Sequence, residues 1–447
     1  MIASTRNGTK HHRWTALLAT IALAVTFAAC EGAGDDDDEG ADSDEPVVVG
    51  ASLPLTGPLS VPGQGHVEGY ELCADKLNEG GGILDREVEL ITSDNRSDTE
   101  TVVNQTERFL SVDDVDMVLG TFSTLLSFPA SAITEQNQKI YWEPSDSSVQ
   151  SHSRGFEYNY GFTLKPIDYI GETPVDAVFE LAEAGDIPEA ELPTTAAVVY
   201  TDDFFTNAMA RGLIGGVLEV PGVDPIDFGE GYLAERDIEL VLEQQVPKSF
   251  ADWTSLLNRV KGSGAEYFFG LMQAPAEVDI AKAMKTVGYE PQAAFFAQGT
   301  YPEFAESVGD AADGLIVWST WGPEVTWEGE LNGEPYSNQD FVADFEAKFN
   351  KEPNEDNAQS FAVCQAMAYA AEETGTVDNE EIKTWLDERT AEDPIPTIQG
   401  DYYFDEDGLT ADRDVLLRQW QDGQLKHIFP QGEEYPDQSK IQYPTRG

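Results

Sequence analysis

The sequence predicts an α/β protein built from two Rossmann-like lobes joined by a hinge. Its 447 residues exceed the size at which a single hydrophobic core usually stops growing. From residue 47 onward, short apolar runs alternate with amphipathic stretches, which is typical of βαβ units on a parallel sheet. The same alternation begins again near residue 196. We therefore expect two similar sheets connected by several chain crossings.

The first series of elements occupies residues 47–136. Its strands are short apolar runs, and each is followed by a stretch in which apolar residues recur at helical spacing. The glycines at 80–82 close the first helix, because glycine readily adopts the conformation that ends helices. We predict strands at residues 47–50, 88–91 and 117–120, and helices at 65–78, 99–110 and 125–136.

A second series follows the same alternation. We predict strands at residues 196–200, 267–270, 294–296 and 314–318, with helices at 207–218 and 276–287 among them. The pattern then becomes helical at 338–349 and 358–373, and short strands at 401–404 and 415–420 complete it. Both series are consistent with parallel sheets covered by helices.

The chain is strongly acidic. It has 83 Asp and Glu residues against 26 Lys and Arg, which gives a formal net charge of -57. Such a charge repels phosphate backbones, so we expect no binding to nucleic acid. Hydrophobic residues still make up 41% of the chain. The chain is therefore acidic but contains enough hydrophobic residues to fold around a core.

The N-terminal residues have the layout of an export signal. A basic cluster at residues 10–13 precedes an apolar run at 14–29 that is too short to span a bilayer. Residues 27–30 read Phe-Ala-Ala-Cys, which resembles a lipobox, in which the cysteine thiol receives a diacylglycerol. We predict a lipoprotein signal peptide at 1–29 and an anchor on the outer face of the cell membrane through Cys30. Ordinary cleavage that leaves Cys30 free is the alternative.

An acidic segment follows at residues 30–45. It contains the run Asp-Asp-Asp-Asp-Glu and almost no apolar residues. Repulsion between the carboxylates keeps such a segment extended, so we predict a tether between the anchor and the fold. A metal-binding tract is the alternative.

Two further cysteines, Cys73 and Cys364, lie in helix-like stretches. Export would place them in an oxidising compartment, where they could form a disulfide. Two unrelated buried thiols are the alternative, because free cysteine is often buried. The cysteine spacing does not match a metal site.

Several segments resemble one protein family in the order in which they occur. They are Gly-Ala-Ser-Leu-Pro-Leu-Thr-Gly-Pro at 50–58, Ser-Asp-Asn at 93–95, Pro-Ser-Asp-Ser at 144–147 and Gly-Asp-Ala-Ala-Asp-Gly at 309–314. From about residue 47 to 430 the chain resembles the leucine and branched-chain amino acid class of ABC-transporter substrate-binding proteins, which have the type I periplasmic binding protein fold. The resemblance implies a protein that captures a small polar ligand outside the cytoplasm and delivers it to membrane permease subunits.

The resemblance also implies discontinuous lobes. Residues 46–164 with 321–396 would form the first lobe, and residues 165–320 with 397–430 the second, followed by a tail at 431–447. Hinges would lie near the junctions. Closure would bury a ligand at the carboxyl ends of the strands, where open parallel sheets bind ligands.

We expect the ligand site at turns that follow the strands. A ligand such as an amino acid, an amide or a small carboxylate needs hydrogen-bond donors, and a zwitterion also needs an acceptor for its ammonium. Ser123 and Thr124 precede a helix and could donate to a carboxylate; capping of that helix is the alternative. Ser145, Asp146 and Ser147 match the family's loop for the ligand's polar group. Asp146 could bind an ammonium or cap the next segment.

The second lobe would contribute a further set through the resemblance. Relatives often place an aromatic side chain against the ligand, although core packing explains aromatics equally well. The neutral Gln298 falls close to where branched-chain amino acid binders carry an acidic partner for the ammonium. The ammonium partner is therefore open between Asp146 and an acid of the second lobe. The candidate residues are Phe204, Phe205, Met272, Gln273, Gln298 and Tyr301.

An enzyme is the rival class of protein. Outside the leader, His66, His152 and His427 are isolated from any metal or catalytic-triad spacing. The glycines within 63–69 imitate a dinucleotide loop, but the third comes one residue late. We therefore predict no catalysis, no cofactor and no metal. A ligand-sensing receptor domain of the same fold is the other alternative, and we expect a monomer.

Overall fold

The structure is a computed structural model that describes residues 45–146, 148–220, 222–410 and 413–444. The predicted signal peptide, Cys30, Ser147 and nearly all of the predicted tether lie outside the described residues. Within the part that is described, none of the helices has both the length and the apolar character that crossing a membrane requires.

Helices and strands alternate along the chain. The α-helices are α1 (Ser60–Gly80), α2 (Thr99–Ser111), α3 (Thr124–Gln136), α4 (Val149–His152), α5 (Glu172–Glu183), α6 (Phe204–Ile214), α7 (Tyr232–Glu235), α8 (Trp253–Ser263), α9 (Ala274–Val287), α10 (Pro302–Val308), α11 (Asn338–Phe349), α12 (Glu355–Thr374) and α13 (Asn379–Asp387). The strands are β1 (Val47–Leu53), β2 (Val88–Asp94), β3 (Met117–Leu119), β4 (Tyr141–Glu143), β5 (Asn159–Gly161), β6 (Thr195–Thr201), β7 (Val217–Leu218), β8 (Ile226–Asp227), β9 (Glu239–Val246), β10 (Tyr267–Leu271), β11 (Ala293–Phe296), β12 (Ile316–Ser319), β13 (Glu328–Leu331), β14 (Glu334–Ser337), β15 (Ile395–Thr397), β16 (Gly400–Tyr402), β17 (Leu416–Gln421) and β18 (Gln424–Phe429).

The first sheet has five parallel strands among the described residues, in the order β2-β1-β3-β4-β5. Successive side chains of β1 point to opposite faces. Val49 therefore packs in the core with α1 and α12, whereas Val48 packs with residues of α2 and α3 on the other face. Helices cover both faces, which explains why a central strand such as β3 is continuously apolar in sequence.

The second sheet has the order β18-β17-β12-β11-β10-β6-β9 in the described part of the chain. Neighbouring strands from β9 to β12 are parallel, and β17 and β18 add an antiparallel hairpin beside β12. Phe268 of β10 packs with α8 and α9, whereas Phe269 packs with α5 and α6 on the opposite face. Both sheets thus confirm the predicted α/β class.

One helix is shorter than predicted. The pattern predicts a helix at 207–218, but α6 ends at Ile214 and is followed by Gly215 and Gly216, which both have positive φ. A Cβ at Gly215 would lie only 2.5 Å from the carbonyl oxygen of Gly229. Glycine permits both the left-handed backbone and this close approach, so the chain leaves the helix and enters β7.

The chain crosses between the sheets after β5, after β12 and before β17. Tyr402 packs against Phe162 in the core of the first sheet, whereas Leu417 packs in the core of the second. The last crossing therefore lies between Tyr402 and Leu417. The lobe boundaries themselves stay a prediction.

Helices α1 and α12 pack side by side in the first core. Residues spaced by four lie on one face of a helix, and small residues on such a face let two helices approach closely. A disulfide joins the two helices through cysteines whose Cα atoms are 6.2 Å apart. The facing residues are Gly65, Gly69 and Cys73 on α1 with Asp356, Ser360 and Cys364 on α12.

Candidate functional site

Turns that follow strands of both sheets surround one inner cavity of about 70 Å³. They are the turns after β3, β4 and β5 of the first sheet and after β6, β10, β11 and β12 of the second. These are carboxyl ends of parallel strands, where open α/β sheets bind ligands. Of the residues predicted from sequence, the cavity lining includes Ser123, Thr124, Ser145, Phe205, Gln273, Gln298 and Tyr301.

The first-sheet wall is built around the start of α3. Ser123 is the N-cap residue with a φ of 77°, and its backbone N–H donates to Ser145 Oγ at 3.0 Å. The Ser123 side chain makes no capping hydrogen bond. Within the described residues, the buried hydroxyl oxygens of Ser123 and Thr124 have no hydrogen-bond partner. Because unpaired buried hydroxyls are costly, a ligand at this point would stabilise them.

The second-sheet wall includes the turn after β11, which carries Gln298. The backbone N–H groups of Ala297 and Gln298 donate to the carboxylate of Glu277 at 2.7 and 2.9 Å. Glu277 belongs to α9 and is fully buried, and burial raises the pKa of its carboxyl. This carboxyl group therefore fixes the turn that presents Gln298 to the cavity.

The first turn of α12, which the hydrophobic pattern did not predict, also lines the cavity. Glu355 accepts hydrogen bonds from the hydroxyls of Thr300 and Ser319, at 2.6 and 2.7 Å. It also accepts one from the backbone N–H of Thr320 at 3.1 Å. Its neighbour Asp356 lines the same cavity. Helix α12 thus contributes two carboxylates to the site.

A capping box marks the start of α12 in the sequence. The side chain of Asn354 accepts from the backbone N–H of Asn357 at 3.1 Å, and the Asn357 side chain accepts from the backbone N–H of Asn354 at 2.9 Å. Acidic residues are favourable in a first helical turn because of the helix dipole. The predicted helix began only at 358, which left both acids outside it.

Three of the described candidates lie outside the lining of the inner cavity, namely Asp146, Met272 and Phe204, which lines the outer chamber instead. Asp146 accepts hydrogen bonds from the backbone N–H and the hydroxyl of Ser148, at 3.1 and 2.9 Å, and from the hydroxyl of Ser151 at 2.6 Å. These contacts hold the N-cap residue Ser148 and the Ser151 hydroxyl, so Asp146 supports the start of α4 without capping the helix itself. Met272 is fully buried among residues of α8 and α9. It is a core residue because its side chain belongs to the layer under those helices.

An outer chamber of about 590 Å³ adjoins the inner cavity. Both are lined by Ser123 and Gln298, so the two spaces lie side by side. Apolar side chains form much of its wall, with Val61 and Leu125 on the first-sheet side and Phe204 on the second. The site therefore combines a small polar cavity with a larger apolar chamber, which suits a ligand with a polar head and an apolar body.

The acidic side chains that line the inner cavity are those of Glu355 and Asp356. Burial, reinforced by Glu355, raises the pKa of Asp356 to about 8. His66 Nε2 lies 4.0 Å from Asp356 Oδ1, and burial lowers the pKa of His66 to about 3. The imidazole is therefore neutral near pH 7 and supplies no counter-charge.

Two open α/β sheets that share a cavity at their strand ends define a bilobal solute-binding protein. The chain belongs to the periplasmic binding protein family, whose model matches residues 46–424. It is 21% identical over 388 residues to the Leu/Ile/Val-binding protein homolog 7 of Brucella suis biovar 1 (strain 1330), over 86% of this chain and 91% of that protein. Membership confirms the predicted resemblance and the solute-binding role.

Solved structures share the fold. The branched-chain amino acid transporter substrate binding protein LivJ from Streptococcus pneumoniae, in complex with isoleucine, matches with a TM-score of 0.68 at 18% identity, over 86% of this chain and 100% of that chain. The solute binding protein of an ABC transporter from R. palustris, in complex with benzoate, matches with a TM-score of 0.64 at 16% identity, over 86% and 95% of the two chains. The type I periplasmic binding protein fold is thereby confirmed.

Proposed function

We propose that the protein is the extracytoplasmic solute-binding component of an ABC importer. It captures one amino acid, amide or small carboxylate per chain between the two sheets, releases it chemically unchanged and delivers it to membrane permease subunits. The observation that carries the proposal is that, among the described residues, the buried hydroxyls of Ser123 and Thr124 at the start of α3 have no hydrogen-bond partner and line a cavity surrounded by turns from both sheets.

A ligand carboxylate fits the start of α3. The hydroxyls of Ser123 and Thr124 lie at the N-terminus of a 13-residue helix, whose dipole favours a negative charge. Each hydrogen bond to a charged group contributes about 1.5–3 kcal/mol. The solved relatives support this ligand class, because one holds isoleucine and the other benzoate, and both molecules carry a carboxylate.

Export and anchoring are part of the same proposal. The family consists of extracytoplasmic binding proteins, and the sequence at 27–30 supports lipidation of Cys30 on the outer face of the cell membrane. Incorporation of a labelled fatty acid into the chain in cells, and its absence from a Cys30→Ser chain, would support the anchor; a labelled variant would contradict it.

Removal of the Thr124 hydroxyl tests the binding site. Thr124→Val keeps the shape of the side chain but removes its hydrogen bond, so we expect affinity to fall by about tenfold or more. Isothermal titration calorimetry of the purified chain with amino acids, amides and small carboxylates measures the change.

Thr99→Val is the matched control, because Thr99 is also the first residue of a helix, α2, and is exposed. We expect the control to bind like the wild type. Equal affinity of Thr124→Val and the wild type for a ligand that binds one per chain would place the carboxylate elsewhere.

A further inference from the structure

A carboxylate of α12 lies buried in the inner cavity with unused hydrogen-bonding capacity. Asp356 is 3% exposed, and its Oδ2 accepts a hydrogen bond from the Tyr301 hydroxyl at 3.0 Å. In the described chain, no hydrogen bond reaches Oδ1, whose neighbour His66 Nε2 lies at 4.0 Å, beyond hydrogen-bond range. Both ring nitrogens of His66 are themselves unpartnered there. Asp356 therefore lacks the partners that a buried carboxylate needs.

The neighbouring acid has a different role. Glu355 is held by two hydroxyls and one backbone N–H from the second-sheet side. These bonds satisfy its carboxylate and tie the start of α12 to the turns after β11 and β12. Of the two acids that line the inner cavity, Asp356 is the one that can still bind a charged group from a ligand.

The position of Asp356 is fixed by the α1–α12 pair. A Cβ on Gly65 would lie 2.6 Å from the Cβ of Asp356, so a glycine is needed for α12 to approach α1. The disulfide between Cys73 and Cys364 joins the same two faces two helical turns further on. A carboxylate presented by a cross-linked helix pair loses little entropy when it binds a ligand.

We infer that Asp356 binds a cationic nitrogen of the solute, and that the solute is therefore an α-amino acid or a related zwitterion. This inference rests on the proposed function and specifies its ligand class. The carboxylate of the ligand would contact Ser123 and Thr124, and its ammonium would contact Asp356, because all three residues line one small cavity. An apolar side chain would extend into the outer chamber.

A change in the protonation state of Asp356 on ligand binding would be a second, independent sign that Asp356 contacts an ammonium. The titratable groups around it are His66 on α1, Tyr301 before α10 and Glu355 on α12. Because the pKa of Asp356 is raised to about 8, its carboxyl is mostly protonated at pH 7 in the free protein. An ammonium favours the carboxylate, so binding of a zwitterion would release a proton.

The test compares L-leucine, L-isoleucine and L-phenylalanine with their des-amino carboxylates and with small amides. Calorimetry of the wild type is expected to show the amino acids binding at least about tenfold more tightly than their des-amino analogues. Asp356→Asn, which is nearly isosteric, is expected to remove this preference. Asp279→Asn, at an exposed aspartate of α9, is expected to retain it.

The outcomes separate the inference from the proposed function. If the wild type binds des-amino carboxylates as tightly as amino acids, or if Asp356→Asn keeps the preference, the inference is wrong and the proposed function stands. If the wild type binds no amino acid, carboxylate or amide, both are wrong. If Asp356→Asn does not fold, the number of protons that the wild type releases on binding is the deciding measurement. Release with amino acids but not with their des-amino analogues supports the inference. Equal release with both kinds of ligand overturns it.

Discussion

Individual side chains at the site differ in how their buried polar atoms are satisfied. Glu277 accepts hydrogen bonds from two backbone N–H groups, and Glu355 accepts hydrogen bonds from three donors. Both side chains therefore stabilise the fold. The hydroxyls of Ser123 and Thr124 have no partner in the described chain, and Asp356 accepts only one hydrogen bond. This difference, rather than residue type, separates side chains that hold the fold from those available to a ligand.

His66 makes the stability of the ligand-free protein depend on pH. Burial beside Tyr70 and Phe122 lowers the pKa of its imidazole from the ordinary value of 6.5 to about 3 in the folded protein. Below about pH 6.5 the unfolded chain gains a proton that the folded chain does not, so stability falls as pH decreases toward 3.

The variant His66→Phe removes this contribution. Between about pH 6.5 and about pH 5, we expect the wild type to lose about 1–2 kcal/mol more unfolding free energy than the variant. Urea unfolding at the two pH values measures the difference. Parallel losses in the two proteins would show that the buried imidazole carries no such penalty.

At the scale of elements, the close contact between α1 and α12 positions the start of α12 at the cavity. A Cβ on Gly69 would lie 2.1 Å from Ser360 Oγ and 2.3 Å from the carbonyl oxygen of Asn357. The backbone atom cannot move aside without separating the helices. Gly69 therefore permits the approach that brings the α12 carboxylates to the ligand site.

We expect Gly69→Ala to destabilise the protein by about 1–3 kcal/mol, because the added methyl group overpacks this contact. Gly262→Ala is the matched control, since Gly262 also lies within a helix, α8, but a Cβ there meets nothing within 4 Å. The control should be neutral or stabilised by about 0.5–1 kcal/mol. Chemical denaturation measures both, and equal stability of the two variants would argue against the tight contact.

The sequence predicted the elements better than it predicted their ends. Short apolar runs predicted β1 and β10, because strands covered on two faces are apolar throughout. The partly exposed edge strand β9 has no such run and was not predicted. It placed the start of α12 three residues late, since the polar first turn carries no hydrophobic period, and Glu355 and Asp356 were missed with it. Ser123 and Asp146 illustrate the remaining limit. Both are polar residues after strands. Only the three-dimensional contacts within the described residues distinguish the unpartnered Ser123 hydroxyl from the Asp146 carboxylate, which holds the start of α4.

At the scale of the whole molecule, the excess of acidic residues opposes folding. The chain has 83 Asp and Glu against 26 Lys and Arg, so most carboxylates have no basic residue to pair with. Long-range repulsion among them is weaker in the expanded unfolded chain than in the compact fold. Added salt shortens the range of this repulsion, with a Debye length of about 30 Å at 0.01 M and about 10 Å at 0.1 M.

We therefore expect the thermal midpoint of the ligand-free protein to rise by a few degrees between about 10 mM and about 500 mM NaCl. At this net charge, repulsive charge pairs outnumber attractive ones, so screening by salt weakens the total repulsion more than the total attraction. Differential scanning calorimetry measures the shift. Choline chloride is the control, since it matches the ionic strength without sodium; a similar rise in both salts identifies screening as the cause. A midpoint that stays constant or falls would mean that the ion pairs on the surface, such as Lys348 with Asp75, outweigh the repulsion.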